Sequence, residues 1–328
     1  MRLPVCISLA NLPTKIERLE RISKELGGIN LYIKRDDQTG SEIAGNKVRK
    51  LEFTVKEALD KGCDTLITCG GIQSNHARAT AAVAARLGLK SFLVLRSDET
   101  PVLEGNYFLD KLLGAEVKLI TSKDYATARN QIMKDLKESL EKAGHSPYII
   151  PEGASNGIGN FGYFKAMEEI KRQEEEMGIS FDGIVVSVGS GGTYGGLFLA
   201  NKLYGYGKRI IGVNICDDAD YFKDKISSIL EESFQYIEET IDYRRDEIEI
   251  IEGYVGRGYA LNNKKELDFI YKFSAMEGVI LDPVYTGKAM YGLTEEIKKG
   301  NIKGIKNLLF IHTGGVFGLF PKKDLFGL

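Results

Sequence analysis

Four loops of this 328-residue chain carry residue types that could do chemistry. In the first, Gly45-Asn46 supplies turn and cap chemistry and places Lys47 in the opening turn of a helical pattern. A helix start disfavours a cation, so Lys47 is poorly placed as an ordinary surface charge. It either binds an anion or serves as an amine nucleophile with a lowered pKa. The second loop, Gly189-Ser190-Gly191-Gly192-Thr193, runs directly into another helical pattern. Successive bare amides at a helix start suit a phosphate. Neither nucleotide motif fits, because Tyr194 stands where G-x-G-x-x-G needs its last glycine and no Lys-Ser/Thr follows. A phosphate without a dinucleotide, together with Lys47, suggests a Schiff base to pyridoxal phosphate.

The third loop reads Cys69-Gly-Gly-Ile-Gln-Ser-Asn-His76. Ser74 could be a nucleophile or proton relay if a neighbour accepts its proton, and Asn75 could cap the next helix or bond a cofactor hydroxyl. His76 is one of only three histidines, either structural or part of a site. The fourth constellation joins Asp282-Pro-Val-Tyr-Thr-Gly-Lys288 with Ile311-His-Thr-Gly-Gly315, each pairing hydroxyls with a turn.

These loops need a scaffold, and the apolar periodicity supplies one. Runs rich in β-branched residues predict strands at 31–34, 65–68, 91–95, 116–120, 148–150, 183–188, 210–215 and 308–312. Helical spacing predicts helices at 47–61, 77–87, 125–143, 161–177, 226–240 and 264–276. The alternation argues for an α/β protein with buried parallel sheet, whose ligands bind beyond the carboxyl ends of the strands.

Composition sets the outer limits. The chain is 43 % hydrophobic and 27 % charged with a net charge of −2, so it supports a core and offers no field for nucleic acid or a membrane surface. No apolar run approaches the ~20 residues of a spanning helix, and the N-terminal segment lacks the pattern of a signal peptide. A cytoplasmic location is therefore expected. The four cysteines are scattered without CxxC spacing, which argues for reduced thiols and no metal. Of the 37 glycines, 20 fall in or beside the strand-end loops.

Lys-Arg-Asp-Asp (34–37), Gly-Asn-Lys-Val-Arg-Lys-Leu-Glu (45–52), Gly-Ile-Gln-Ser-Asn-His (71–76), Asp-Pro-Val-Tyr-Thr-Gly-Lys (282–288) and Ile-His-Thr-Gly-Gly (311–315) together resemble the 1-aminocyclopropane-1-carboxylate deaminase/D-cysteine desulfhydrase family. These are pyridoxal-phosphate enzymes of the tryptophan-synthase-β fold type. The resemblance implies that Lys47 binds the cofactor covalently, that Asn75 bonds the ring's 3′-oxygen, and that Gly189, Ser190, Gly191, Gly192 and Thr193 hold the phosphate. It implies that Ser74 lies near the substrate carboxylate, that His76 lies beside the ring, and that Tyr259 and Tyr285 are active-site tyrosines. Thr313, and with it Thr286, would face the pyridine nitrogen.

His76, Thr286 and Thr313 each resemble the D-cysteine desulfhydrase branch. The implied reaction is α,β-elimination from a small amino acid, foremost D-cysteine, to pyruvate, hydrogen sulfide and ammonia. The alternatives are deamination of 1-aminocyclopropane-1-carboxylate (ACC) to 2-oxobutyrate, a β-replacing cysteine-synthase-type reaction, and a cofactor-binding sensor without chemistry. The implied architecture is two α/β domains, each an open, mostly parallel sheet flanked by helices, with the cofactor in the cleft. Residues 1–47 plus 157–328 would form the large domain and 48–156 a small inserted one. A homodimer is also expected.

Overall fold

The computed structural model describes residues 2–328. Its first elements are β1 (Ile16–Arg18), α1 (Glu20–Leu26), β2 (Asn30–Lys34), α2 (Lys47–Asp60), β3 (Thr65–Gly71), α3 (Asn75–Arg86) and β4 (Lys90–Arg96). There follow α4 (Gly105–Leu112), β5 (Glu116–Ile120), α5 (Ser122–Lys142), β6 (Pro147–Ile149), α6 (Gly157–Met177), β7 (Gly183–Val188) and α7 (Gly192–Leu203). The chain ends through β8 (Arg209–Asn214), α8 (Ala219–Ser233), β9 (Glu249–Ile251), α9 (Lys264–Glu277), α10 (Thr286–Lys298) and β10 (Asn307–Ile311).

Two sheets result, so the fold is two-domain α/β. The larger runs β1-β2-β10-β7-β8-β9, parallel except for the antiparallel edge strand β1, and the smaller is the all-parallel β5-β4-β3-β6. The central strand β7 is Gly-Ile-Val-Val-Ser-Val and buried throughout, because helices cover both of its faces. Helix α2 joins the two halves, packing on α3 in one direction and α6 in the other. Its contact with α6 is backbone to side: a Cβ at Gly162 would collide with the Arg49 carbonyl. We propose the small-domain limits at 48 and 156, so the first of them falls within this shared helix.

One predicted helix is displaced. The segment expected at 226–240 is α8, Ala219–Ser233, because the Asp218 carboxylate accepts the Tyr221 N–H and starts the helix seven residues earlier. Helix α10 was not foreseen at all, since its first turn lies inside the Asp-Pro-Val-Tyr-Thr sequence that reads as an isolated turn. Among the described residues no helix is long and apolar enough to cross a membrane.

Candidate active site

A cavity of about 330 Å3 opens between the carboxyl ends of β3 and β4 on one side and β7 and β10 on the other. Lys47, the first residue of α2, reaches into it. Two loops must cross to bring the lysine there: Gly45 (φ +108°) and Gly314 (φ +90°) pass backbone to backbone, and a Cβ on Gly45 would stand 2.7 Å from the Thr313 carbonyl. Only glycine fits both the left-handed backbone and the gap. The Asn46 N–H then donates to the Thr313 carbonyl at 3.1 Å. Asn46 stands at the N-cap position without capping α2. Its side chain instead donates to Thr193 Oγ1 (2.9 Å) and accepts from Lys47 Nζ (3.0 Å).

Burial pushes the Lys47 amine down to about 8, with Glu152 and Asp282 partly opposing that shift. Above that pH the amine is neutral and nucleophilic; below it the proton blocks reaction. Acylation of Lys47 in the cofactor-free protein, followed by peptide mass spectrometry, is therefore expected to rise with a midpoint near pH 8. Exposed lysines in the same digest should follow the ordinary value near ~10.4.

Across the cavity, the Tyr285 ring lies 5.8 Å from Lys47 Nζ, and its hydroxyl is 2.6 Å from that of Tyr259. Burial raises both phenols, Tyr259 to about 12 and Tyr285 well above its ordinary value, so both are protonated at neutral pH.

On the β3 side, Ser74 caps α3 by accepting the Ala77 N–H at 3.1 Å, and its own proton is free for a ligand. Asn75 is the first helical residue and not the cap. Its side-chain Oδ1 accepts from Asn106 Nδ2 (3.0 Å), which leaves the Asn75 Nδ2 as the donor for a bound group. His76 is buried, and burial together with Lys47 and Lys50 keeps its pKa well below the usual value. Its Nε2 lies 2.8 Å from Thr68 Oγ1, so this neutral ring is tied to β3. Cys69 is buried and its thiol is raised to about 12, which removes it as a nucleophile.

The glycine loop opens α7 as expected. Gly189, Ser190, Gly191 and Thr193 line the cavity. The Gly192 N–H donates to Ser155 Oγ at 3.3 Å, and a Cβ on Gly192 would meet that oxygen at 2.7 Å. Ser155 Oγ is 2.8 Å from Ser190 Oγ and accepts from Lys50 Nζ at 3.1 Å. Lys50 is fully buried, has no carboxylate partner among the described residues, and its pKa falls well below the usual value through burial and Lys47. A buried amine behind a helix start would regain its proton only opposite an anion.

Thr313 closes the floor of the cavity beside Ser187, with their hydroxyls 3.3 Å apart. Thr286 is not there. Its hydroxyl donates to Asp282 Oδ1 (2.7 Å) and accepts the Asp282 N–H (2.9 Å), so it stabilises the start of α10 outside the cavity. That corrects the expectation that Thr286 faces a ring nitrogen. The carboxylates lining the cavity, Glu152 and Asp217, are both exposed.

Ser155, Ser187, Lys50 and Asn106 were missed from sequence. Lys50 had a signal, since it lies one helical turn beyond Lys47. The other three had none.

Residues 7–314 match the family model described as pyridoxal-phosphate dependent enzyme. The chain is 45 % identical over 326 residues to the bifunctional D-cysteine desulfhydrase/1-aminocyclopropane-1-carboxylate deaminase, mitochondrial, of Arabidopsis thaliana, covering 97 % of this chain and 80 % of the plant protein. It is 36 % identical to the 1-aminocyclopropane-1-carboxylate deaminase of Bradyrhizobium diazoefficiens, with 92 % of each chain covered. A crystal structure of an ACC deaminase homologue superposes with a TM-score of 0.91 at 38 % identity, covering 98 % of this chain and 95 % of the other.

Proposed function

Because the chain belongs to the pyridoxal-phosphate-dependent enzyme family, we propose that it eliminates the β-substituent of a small amino acid, with D-cysteine as substrate and pyruvate, hydrogen sulfide and ammonia as products. The residues fit the cofactor: Lys50 is a buried amine with no carboxylate partner among the described residues, tied through Ser155 to the start of α7, where Gly189, Ser190, Gly191 and Thr193 face the cavity. Lys47 would attach the aldehyde carbon, the α7 amides with Ser155 and Ser190 would hold the phosphate, and the Asn75 amide would donate to the ring oxygen. When bound, the cofactor supplies an electron sink for negative charge at the substrate α-carbon.

The chain's own groups do the rest. The first N–H groups of α3 and the Ser74 hydroxyl make a neutral cradle for the substrate carboxylate. Lys47, with its lowered pKa, takes the α-proton. The protonated Tyr285 and Tyr259 pair can give a proton to the departing sulfur. The observation that carries the D-cysteine reading is the floor of neutral hydroxyls, Ser187 and Thr313. Hydroxyls hold less positive charge on a ring nitrogen than a carboxylate does, which suffices for losing an α-proton and a β-leaving group.

ACC ring opening is the second reading, supported by the names of the Arabidopsis and Bradyrhizobium relatives. Purified holoenzyme offered D-cysteine, L-cysteine and ACC should release sulfide and pyruvate fastest from D-cysteine, with no need for an added nucleophile. Formation of 2-oxobutyrate from ACC without sulfide from D-cysteine would overturn the reading. Replacing the floor hydroxyl, Thr313→Leu, should lower D-cysteine turnover by about tenfold, the scale of one lost neutral hydrogen bond.

A further inference from the structure

Arg96, at the carboxyl end of β4, lines the mouth of the cavity. Its guanidinium is held between two aromatic rings, 5.3 Å from the centre of Tyr125 and 5.5 Å from that of Tyr259. Among the described residues its side chain makes no hydrogen bond and no ion pair. Its neighbour Arg129 differs, donating to the Tyr125 carbonyl at 3.1 Å and approaching Glu152 at 3.8 Å. The two rings hold the guanidinium by cation–π contact and leave its five N–H donors unused. One edge of it faces the β3 loop, since a Cβ on Gly71 would lie 3.7 Å from Nη2. That loop leads into the start of α3, the cradle to which the proposed reaction assigns the substrate carboxylate without a guanidinium. A fixed, unpaired cation beside an already provided carboxylate site is matched to a second negative group.

Building on the elimination chemistry proposed above, we infer that Arg96 is the recognition group for an anionic β-substituent, so that the enzyme also acts on amino acids such as serine O-sulfate. In that reaction the α-proton passes to a base and the Cβ–O bond breaks with its electron pair moving onto sulfate. The resulting three-carbon enamine tautomerises, and water hydrolyses it to pyruvate and ammonium with release of one proton. Neither an oxidant nor a reductant is needed. Arg96 pairs bidentately with the sulfate oxygens as negative charge grows on them.

The test compares wild-type holoenzyme with Arg96→Gln and Arg96→Lys on both enantiomers of serine O-sulfate and of β-chloroalanine. The loss of kcat/KM in Arg96→Gln should be about 30-fold greater for serine O-sulfate than for β-chloroalanine, with Arg96→Lys intermediate. Titration calorimetry adds a readout without turnover. Wild type should bind 3-sulfopropanoate about tenfold tighter than propanoate, and Arg96→Gln should erase the difference. Equal losses on both substrates would make Arg96 a support for Tyr259 and overturn the inference, as would turnover of β-chloroalanine but not serine O-sulfate by wild type. If wild type eliminates neither substrate, nor D-cysteine, the elimination reading fails, and the calorimetric preference alone then decides for or against an anion site at Arg96.

Discussion

Lys47→Ala is expected to lose turnover by at least about 10³-fold and to release its cofactor on dialysis, seen as loss of the protein-bound visible absorption. The size follows from what no neighbour can replace. Lys47 is the only amine lining the cavity among the described residues, and Lys50 is committed to Ser155 behind the start of α7. Lys47→Arg should be equally inactive although it keeps the charge, because a guanidinium stays protonated and does not attack a carbonyl carbon. Activity in Lys47→Arg would show that the position contributes charge and not a nucleophile. Persistence of the absorption in Lys47→Ala would refute the attachment site.

The second large effect concerns stability. Two residues beyond Lys47, the buried Arg49 donates to both Asp36 oxygens at 2.8 Å and to Glu169 at 2.9 and 3.0 Å. Lys34 donates to Glu169 at 2.6 Å, and Tyr163 donates to Asp36 at 2.5 Å. Two cations and two carboxylates cancel, and their hydrogen bonds offset the cost of burying them. Arg49→Met would leave two buried carboxylates with Lys34 as their one cation and should destabilise the protein by about 3–5 kcal/mol, measured by urea unfolding. A loss below about 1 kcal/mol would show that the cluster relaxes or admits water.

The acid limb of the stability curve gives a second check. Burial alone would raise the Asp36 carboxyl, but Arg49 and Lys34 outweigh it and hold it at about 2. A carboxyl depressed in the folded state stabilises above its unfolded value of ~3.9 and loses that contribution as pH falls toward 2. The wild type should therefore lose stability across that window, and Arg49→Met should show a shallower slope there. The cluster also bears on catalysis, since it locks α2 to β2 and α6 and so sets the direction in which Lys47 enters the cavity.

Much of this was legible from the residues alone. The strands at 65–68, 91–95 and 183–188 follow from largely apolar runs, because a buried parallel strand must be apolar on both faces, whereas the edge strand at 116–120 alternates and is mostly exposed. The glycine loop before α7 and the Lys47 turn were legible because backbone conformation is encoded locally, in glycine, asparagine and hydroxyl spacing. Local coding also misled. Asp218 started α8 earlier than its apolar pattern implied, and the Pro-Val-Tyr turn concealed the beginning of α10.

By itself, then, the sequence determined the fold class, the strand-end loops and the lysine that could do chemistry. Only the tertiary structure decided which polar groups share one space. Ser187 and Thr313, 126 positions apart, meet on the cavity floor, whereas Thr286 turns to Asp282. Lys50 finds Ser155, Asn106 orients Asn75, and Arg96 stands unpaired between two tyrosines. A residue's type and its local backbone state which bonds it can make. Its partners and its desolvation, which fix protonation and direction, come from segments far away in the chain, and these exist only once the two sheets have closed on the cavity.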